Sequence, residues 1–235
     1  MGDDLNLDVS KSRIQDKEYV LDAVLLLIIV QIARITLKYI FLSQLNFTYE
    51  NVNIANIISI MLVGISLAHF LRGNNRFNPA GQRLTNLNNK YHNKNTRIIL
   101  GILAGLGILV SYFLEGGAFF TTLVILSLSL IVEPIFEEVI FRDFLWNYMS
   151  NYQKDEKKIL INISILSALF KIGYWDIISQ NLNVVGSSFY TVDIIFSKVI
   201  FGLIFAFILG IVRMKFKDTY ICIFLHSLIN VLFGN

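Results

Sequence analysis

Long apolar runs dominate the chain and decide what it can fold into. They extend roughly from Tyr19 to Phe41, Val52 to Leu71, Ile98 to Leu114, Ala118 into a glutamate pair at Glu137 and Glu138, Leu160 to Trp175, Val192 to Val212, and Tyr220 to Phe233. Most approach the length, about 17 to 25 residues, at which a helix crosses a bilayer, the fifth and last being short for a full crossing. In hydrocarbon every backbone N–H and C=O must be satisfied within the protein, so such runs form helices. The expected fold is therefore all-α, a polytopic transmembrane helical bundle of about seven spans. Composition agrees: 55% of residues are hydrophobic and 16% charged, whereas soluble domains carry about a quarter charged residues. Residues 1–18 read as a polar N-terminal segment without a signal-peptide pattern, and 19–235 as a single transmembrane domain. The single cysteine, Cys222, allows no internal disulfide and reads as inert packing.

Loop charges predict the orientation, because Lys and Arg collect on the cytoplasmic side. Arg72, Arg76, Arg83, Lys90, Lys94 and Arg97 crowd the connection after the second span, with no acidic residue among them. Lys154, Lys157 and Lys158 follow the fourth span, Arg213, Lys215 and Lys217 the sixth, and Lys11, Arg13 and Lys17 precede the first. The connections Ser43 to Asn51, Glu115 to Gly117 and Asp176 to Thr191 hold no Lys or Arg. The N-terminus is thus expected in the cytoplasm and the C-terminus outside. Arg34 and Lys38 fit poorly, lying toward the outer end of the first span, where they must snorkel or face a cavity. The basic, Asn-rich loop from Arg72 to Arg97 suits anionic lipid headgroups, and nucleic acid is not an expected partner. Richness in Asn, Lys and Ile points to the plasma membrane of a low-GC bacterium.

Charges inside the spans point to chemistry. Glu137, Glu138 and Arg142 each cost about 2.5 to 3.5 kcal/mol at the centre of a spanning helix, so such groups mark functional sites. On an α-helix Glu138 and Arg142, four apart, face each other and read as a structural pair. Glu137 points about 100 degrees away and is left for another partner. Glu133 shares the Glu137 face, and Pro134 removes a backbone hydrogen bond nearby, favouring a kink. In the last run His226 and Asn230, again four apart, share a face of an otherwise apolar helix. Three sparse polar faces in lipid are expected to converge on one cavity.

These residues resemble a known family. Glu137-Glu138-x-x-x-Arg142 and His226-x-x-x-Asn230 match, in order and separation, the two outer boxes of the CPBP family. It comprises the CAAX prenyl endopeptidases and bacteriocin-processing proteins, also called Abi. The resemblance covers about 98–233. A middle box in active members pairs a phenylalanine with a histidine four residues on. Here Ser167-Ala168-Leu169-Phe170-Lys171-Ile172-Gly173-Tyr174 keeps the phenylalanine and has Tyr174 where the histidine would stand. Neither His69 nor His92 is placed to replace it.

The resemblance implies an intramembrane endopeptidase. Carried over by residue, Glu137 is the general base on water, Glu138 and Arg142 a structural pair, His226 a metal ligand or polarising group, and Asn230 the oxyanion donor. Tyr174 offers a hydroxyl donor but is a poor zinc ligand. Glu137 and His226 remain as metal ligands, with Glu133 as a further candidate; catalytic zinc usually has three protein ligands plus water, so loss of the middle histidine would weaken the site. The implied cofactor is zinc, or none, with a Glu-activated water. A membrane-associated or lipidated peptide, such as a bacteriocin or pheromone precursor, is the implied substrate. The alternative is a catalytically impaired relative acting as a bacteriocin-immunity, peptide-binding or scaffold protein, and an ion- or proton-coupled transporter ranks last.

Overall fold

The computed structural model describes residues 3–73, 128–185 and 190–233, and among them it is helical throughout, with no strand. The run 98–114, the start of the fourth run, the basic loop beyond Gly73 and His92 lie outside the described residues. Helix α1 runs Asp3–Leu42 and α2 Tyr49–Gly73. The next helical stretch, α3, passes through Leu128–Val132 and Val139–Leu145 as π-helix and through Glu133–Glu138 and Trp146–Ser150 as α-helix. Helix α4 is Glu156–Phe170, followed by a 3-10 turn, Lys171–Tyr174, and α5, Trp175–Val185. Helix α6 is Thr191–Phe216 and α7 Thr219–Phe233.

Four helical stretches are long and apolar enough to cross a membrane: Glu18–Leu42, Tyr49–Leu71, Glu156–Asn183 and Thr191–Phe216. Exposed Leu21, Ile28, Ile29, Ile32, Ile65, Phe196, Phe201 and Ile204 cover their outer faces. Apolar residues on the outside of long helices are what lipid requires, since lipid tails are as apolar as Leu. The chain is a membrane protein.

Local chemistry sets the helix ends. Asp155 caps α4, its carboxylate accepting from the Lys157 N–H at 2.9 Å. Lys217 closes α6 in the left-handed region at φ 52, its N–H bonded to the Arg213 carbonyl. Asp218 then receives the Tyr220 N–H at 2.7 Å and starts α7. The disturbance expected at Pro134 takes the form of a π segment directly before it, so that proline falls in the first turn of the following α segment. A missing N–H is tolerated there.

One connection differs from the loop-charge reading. Asp176 to Thr191 was expected as an external loop after a short span, yet Asp176 to Val185 continue as helix. The span accordingly lengthens to Glu156–Asn183. The reason is Asp176 itself, which is buried against cations from α1 and helps draw this turn into the bundle.

Packing orders the helices around the site. Helix α4 lies along α6, α1 along α2, α5 against α2 and α6, and α7 against α6 and α3. Gly210 permits the α4–α6 approach: a Cβ there would fall 2.2 Å from Leu160 Cδ1 and 3.7 Å from Trp146. Small residues at such crossings let membrane helices pack closely. Gly210→Leu should therefore force the two helices apart and lower the detergent melting temperature by about 5 °C or more, the equivalent of roughly 1–3 kcal/mol of overpacking. An unchanged melting temperature would mean that this crossing is not close.

Candidate active site

The two glutamates point to different partners. Glu137, its side chain 2% exposed, receives Lys171 Nζ on both oxygens, at 2.6 and 2.8 Å. Glu138, fully buried, holds His226 Nδ1 at 2.8 Å through Oε1 and has Arg142 Nε 3.2 Å from Oε2. The arginine is within ion-pair distance but out of hydrogen-bond alignment. It sits in the π segment Val139–Leu145, whose wider turn shifts it from the position that a regular α-turn would give. Arg142 reaches instead to α6, where Nη2 donates to the Ala206 carbonyl at 3.0 Å, and Arg213 Nε donates back to the Arg142 carbonyl at 2.8 Å.

The pairing of Glu138 with Arg142, expected from spacing, is thus present and extends to His226. A carboxylate at Nδ1 favours the tautomer with the proton on that nitrogen and turns Nε2 away from the pair. Phe205 packs edge-on against the imidazole at 4.8 Å between ring centres. Ser227, next in the chain, donates to the Leu130 carbonyl at 2.6 Å and so ties α7 to the π segment that precedes Glu133. Asn230 lies one turn beyond His226, partly buried.

Tyr174 is 6% exposed. Its ring packs edge-on against Phe170 at 6.0 Å, with Lys171 Nζ 5.5 Å from its centre. The hydroxyl lies within electrostatic reach of Glu137 but, among the described residues, meets hydrogen-bond geometry with no group. Glu133 and Lys198 border the same pair within electrostatic range. Residues from α3, the 3-10 turn and α7 therefore meet in one neighbourhood.

Helix α1 supports the 3-10 turn. Gln31, Arg34 and Lys38 form one stripe of α1, Asn53 and Asn56 a stripe of α2, and Asp176 and Gln180 a stripe of α5, and all are buried. Arg34 Nη2 donates to the Gly173 carbonyl at 2.5 Å and to Asp176 Oδ1 at 2.6 Å, Nη1 to Asn56 at 3.0 Å, and Nε to Gln31 at 2.8 Å. Gln31 Nε2 donates to the Phe170 carbonyl at 3.0 Å. Lys38 pairs with Asp176 and donates to Gln180 at 2.6 Å. Carbonyls at the end of a helix have no intrahelical partner; here side chains of α1 supply donors. Gly173 leaves the space, since a Cβ there would lie 2.3 Å from Gln31. Arg34 also stacks over the Tyr174 ring at 4.9 Å. Arg34 and Lys38 are 0% exposed, so the two cations neither snorkel nor line a surface: they anchor the turn that carries Lys171 and Tyr174.

Zinc does not fit this arrangement. A metal ligated by Glu137 would have to displace the Lys171 ammonium from both carboxylate oxygens, and His226, its Nδ1 held by Glu138, could offer only Nε2 as a single further ligand. Among the described residues no three His, Cys, Asp or Glu side chains group as a metal site.

Lys171 and the Arg34–Asp176 network are the parts that motif reading missed. A lysine between Phe170 and Tyr174 is a costly charge in an apolar run and signals a buried carboxylate partner. Arg34 and Lys38 likewise called for an acid that no loop assignment supplied.

Comparison with known proteins covers the same region. The model of the Rce1-like family, type II CAAX prenyl endopeptidase Rce1-like, matches residues 118–232, from ahead of the described part of α3 to the end of α7. No curated protein matches the chain, and no solved structure does. Over residues 118–232, just under half of its length, the chain is similar to the type II CAAX prenyl endopeptidase Rce1-like family of the CPBP class.

Proposed function

We propose that the protein is a membrane-embedded endopeptidase that hydrolyses a bond in a membrane-associated or lipidated peptide, with Glu137 taking the proton from the attacking water. The observation that carries this reading is the division of labour between adjacent carboxylates. Glu138 is fully buried and committed to His226 and Arg142, while Glu137 has Lys171, whose side chain is 19% exposed, as its ion-pair partner. Of the two, Glu137, itself 2% exposed, has the partner nearer the surface. His226, oriented by Glu138, supports the reading as a polarising group, and Asn230 on the same helix as an amide donor to the oxyanion. The donor set favours a metal-free site.

A second reading, an impaired relative that binds a peptide or acts as an immunity or scaffold protein, is favoured by Tyr174 and by the occupied Glu137 carboxylate. The two separate in vesicles containing the purified full chain and a lipidated peptide. Appearance of two peptide fragments by mass spectrometry, absent from empty vesicles, supports the peptidase. Peptide retained intact by the protein-bearing vesicles supports the second reading.

We also place the N-terminus and the Arg72 to Arg97 loop on the cytoplasmic side of a bacterial plasma membrane, from the distribution of Lys and Arg. Single cysteines at Asn46, in the α1–α2 turn, and at Asn151, in the α3–α4 turn, test it in a Cys222→Ser background. An impermeant maleimide added to intact cells should label the first and spare the second. The reverse pattern inverts the topology.

A further inference from the structure

Lys171 is built into the site. It is held from three sides: both Glu137 oxygens, the Tyr174 ring, and Gly202 of α6, where a Cβ would lie 3.3 Å from Lys171 Cγ. Its side chain is more open than that of Glu137, 19% against 2% exposed. A lysine in a spanning segment is retained at a cost of about 2.5 to 3.5 kcal/mol on insertion scales, which favours a working role over packing.

We infer that Lys171 is a catalytic residue, the tethered cation and general acid of this site, an assignment that rests on the peptidase reading above. Glu137 removes a proton from water as the water oxygen bonds to the scissile carbonyl carbon. The Lys171 ammonium, beside the developing charge, gives one proton to the leaving amide nitrogen as the C–N bond breaks. Protonated Glu137 then returns its proton to the Lys171 amine across the 2.6 Å contact. One water is consumed, one carboxylic acid and one amine are released, and both side chains regain their starting states. The charge that a metal would supply is carried by the chain itself.

The experiment compares the purified full chain, Lys171→Met, Lys171→Arg and Glu137→Gln in vesicles with a lipidated peptide, alongside elemental analysis after incubation with zinc and washing with chelator. Lys171→Met should cut turnover about 100-fold, the lower end of a general-acid contribution. Lys171→Arg, which keeps the charge but is too weak an acid to give up a proton readily, should lower kcat while leaving KM within about twofold. The parent should retain no stoichiometric zinc and lose no activity to chelator. If Glu137→Gln is inactive while Lys171→Met turns over as fast as the parent or faster, Lys171 is a counterion or a brake and the inference is overturned, with the peptidase reading intact. Stoichiometric zinc lost on His226→Ala overturns it without reference to turnover. A parent that cleaves nothing, or one matched by Glu137→Gln, overturns the peptidase reading and this assignment together.

Discussion

Asp176→Ala should destabilise the protein by about 3–5 kcal/mol, the range for removing one partner of a buried ion pair. The carboxylate is the only acidic group bonded to Arg34 and Lys38 among the described contacts, and both cations are fully buried. Its loss leaves two charges among apolar helices with only amides and carbonyls for partners. At about 2–4 °C per kcal/mol for a chain of this size, the melting temperature in detergent should fall by about 10 °C. Replacing all three groups together, Arg34→Met, Lys38→Met and Asp176→Leu, removes the orphaned charges and should recover much of the loss. Turnover should stay low in that triple variant, because the Gly173 carbonyl and the Tyr174 ring lose Arg34. Full turnover in the recovered protein would show that α1 merely covers the site. A single Asp176→Ala variant that melts with the parent would show that the network is not buried.

Glu137→Gln carries the other large effect, a loss of about 100- to 10,000-fold in hydrolytic rate at nearly unchanged protein level. An amide keeps the shape of the side chain and can still accept from Lys171, but it has no basic lone pair for the proton of water. Glu138→Gln, one residue on, should act mainly on stability. It leaves Arg142 without its acid and frees His226 from the contact that orients it. Neighbouring glutamates with opposite phenotypes, one kinetic and one structural, are the signature of this arrangement. Loss of protein from Glu137→Gln and loss of rate alone from Glu138→Gln would exchange the roles.

Much of this was legible in the sequence because lipid removes choices. Apolar runs with no water to solvate their backbones have to be helices, and the spans Glu18–Leu42, Tyr49–Leu71 and Thr191–Phe216 lie close to where hydropathy puts them. Glu138 and Arg142 were readable as a pair from their spacing alone. The partners of Glu137 and His226 were not, because they depend on which helix faces are opposed, a long-range property that no local spacing carries. The π winding of Val139–Leu145 was equally hidden, since it adds a residue per turn without any change in composition. Asp176 was misplaced for a related reason. A lone acid after an apolar run reads as the start of a loop until the two cations of α1 are recognised as charges that need it. A charge balance over all spans, rather than motif by motif, would have matched Lys171 to a glutamate and Asp176 to Arg34.

Hydrolysis in heavy-oxygen water tests the central claim most directly. If Glu137 activates water for direct attack, a single turnover in vesicles should place one heavy oxygen atom in the new carboxylate of the cleaved peptide. Parent protein should give that labelled fragment, and Glu137→Gln at matched folded amount should give about 1% of it or less. Labelled product formed equally by Glu137→Gln, or fragments that carry no heavy oxygen, would contradict the account.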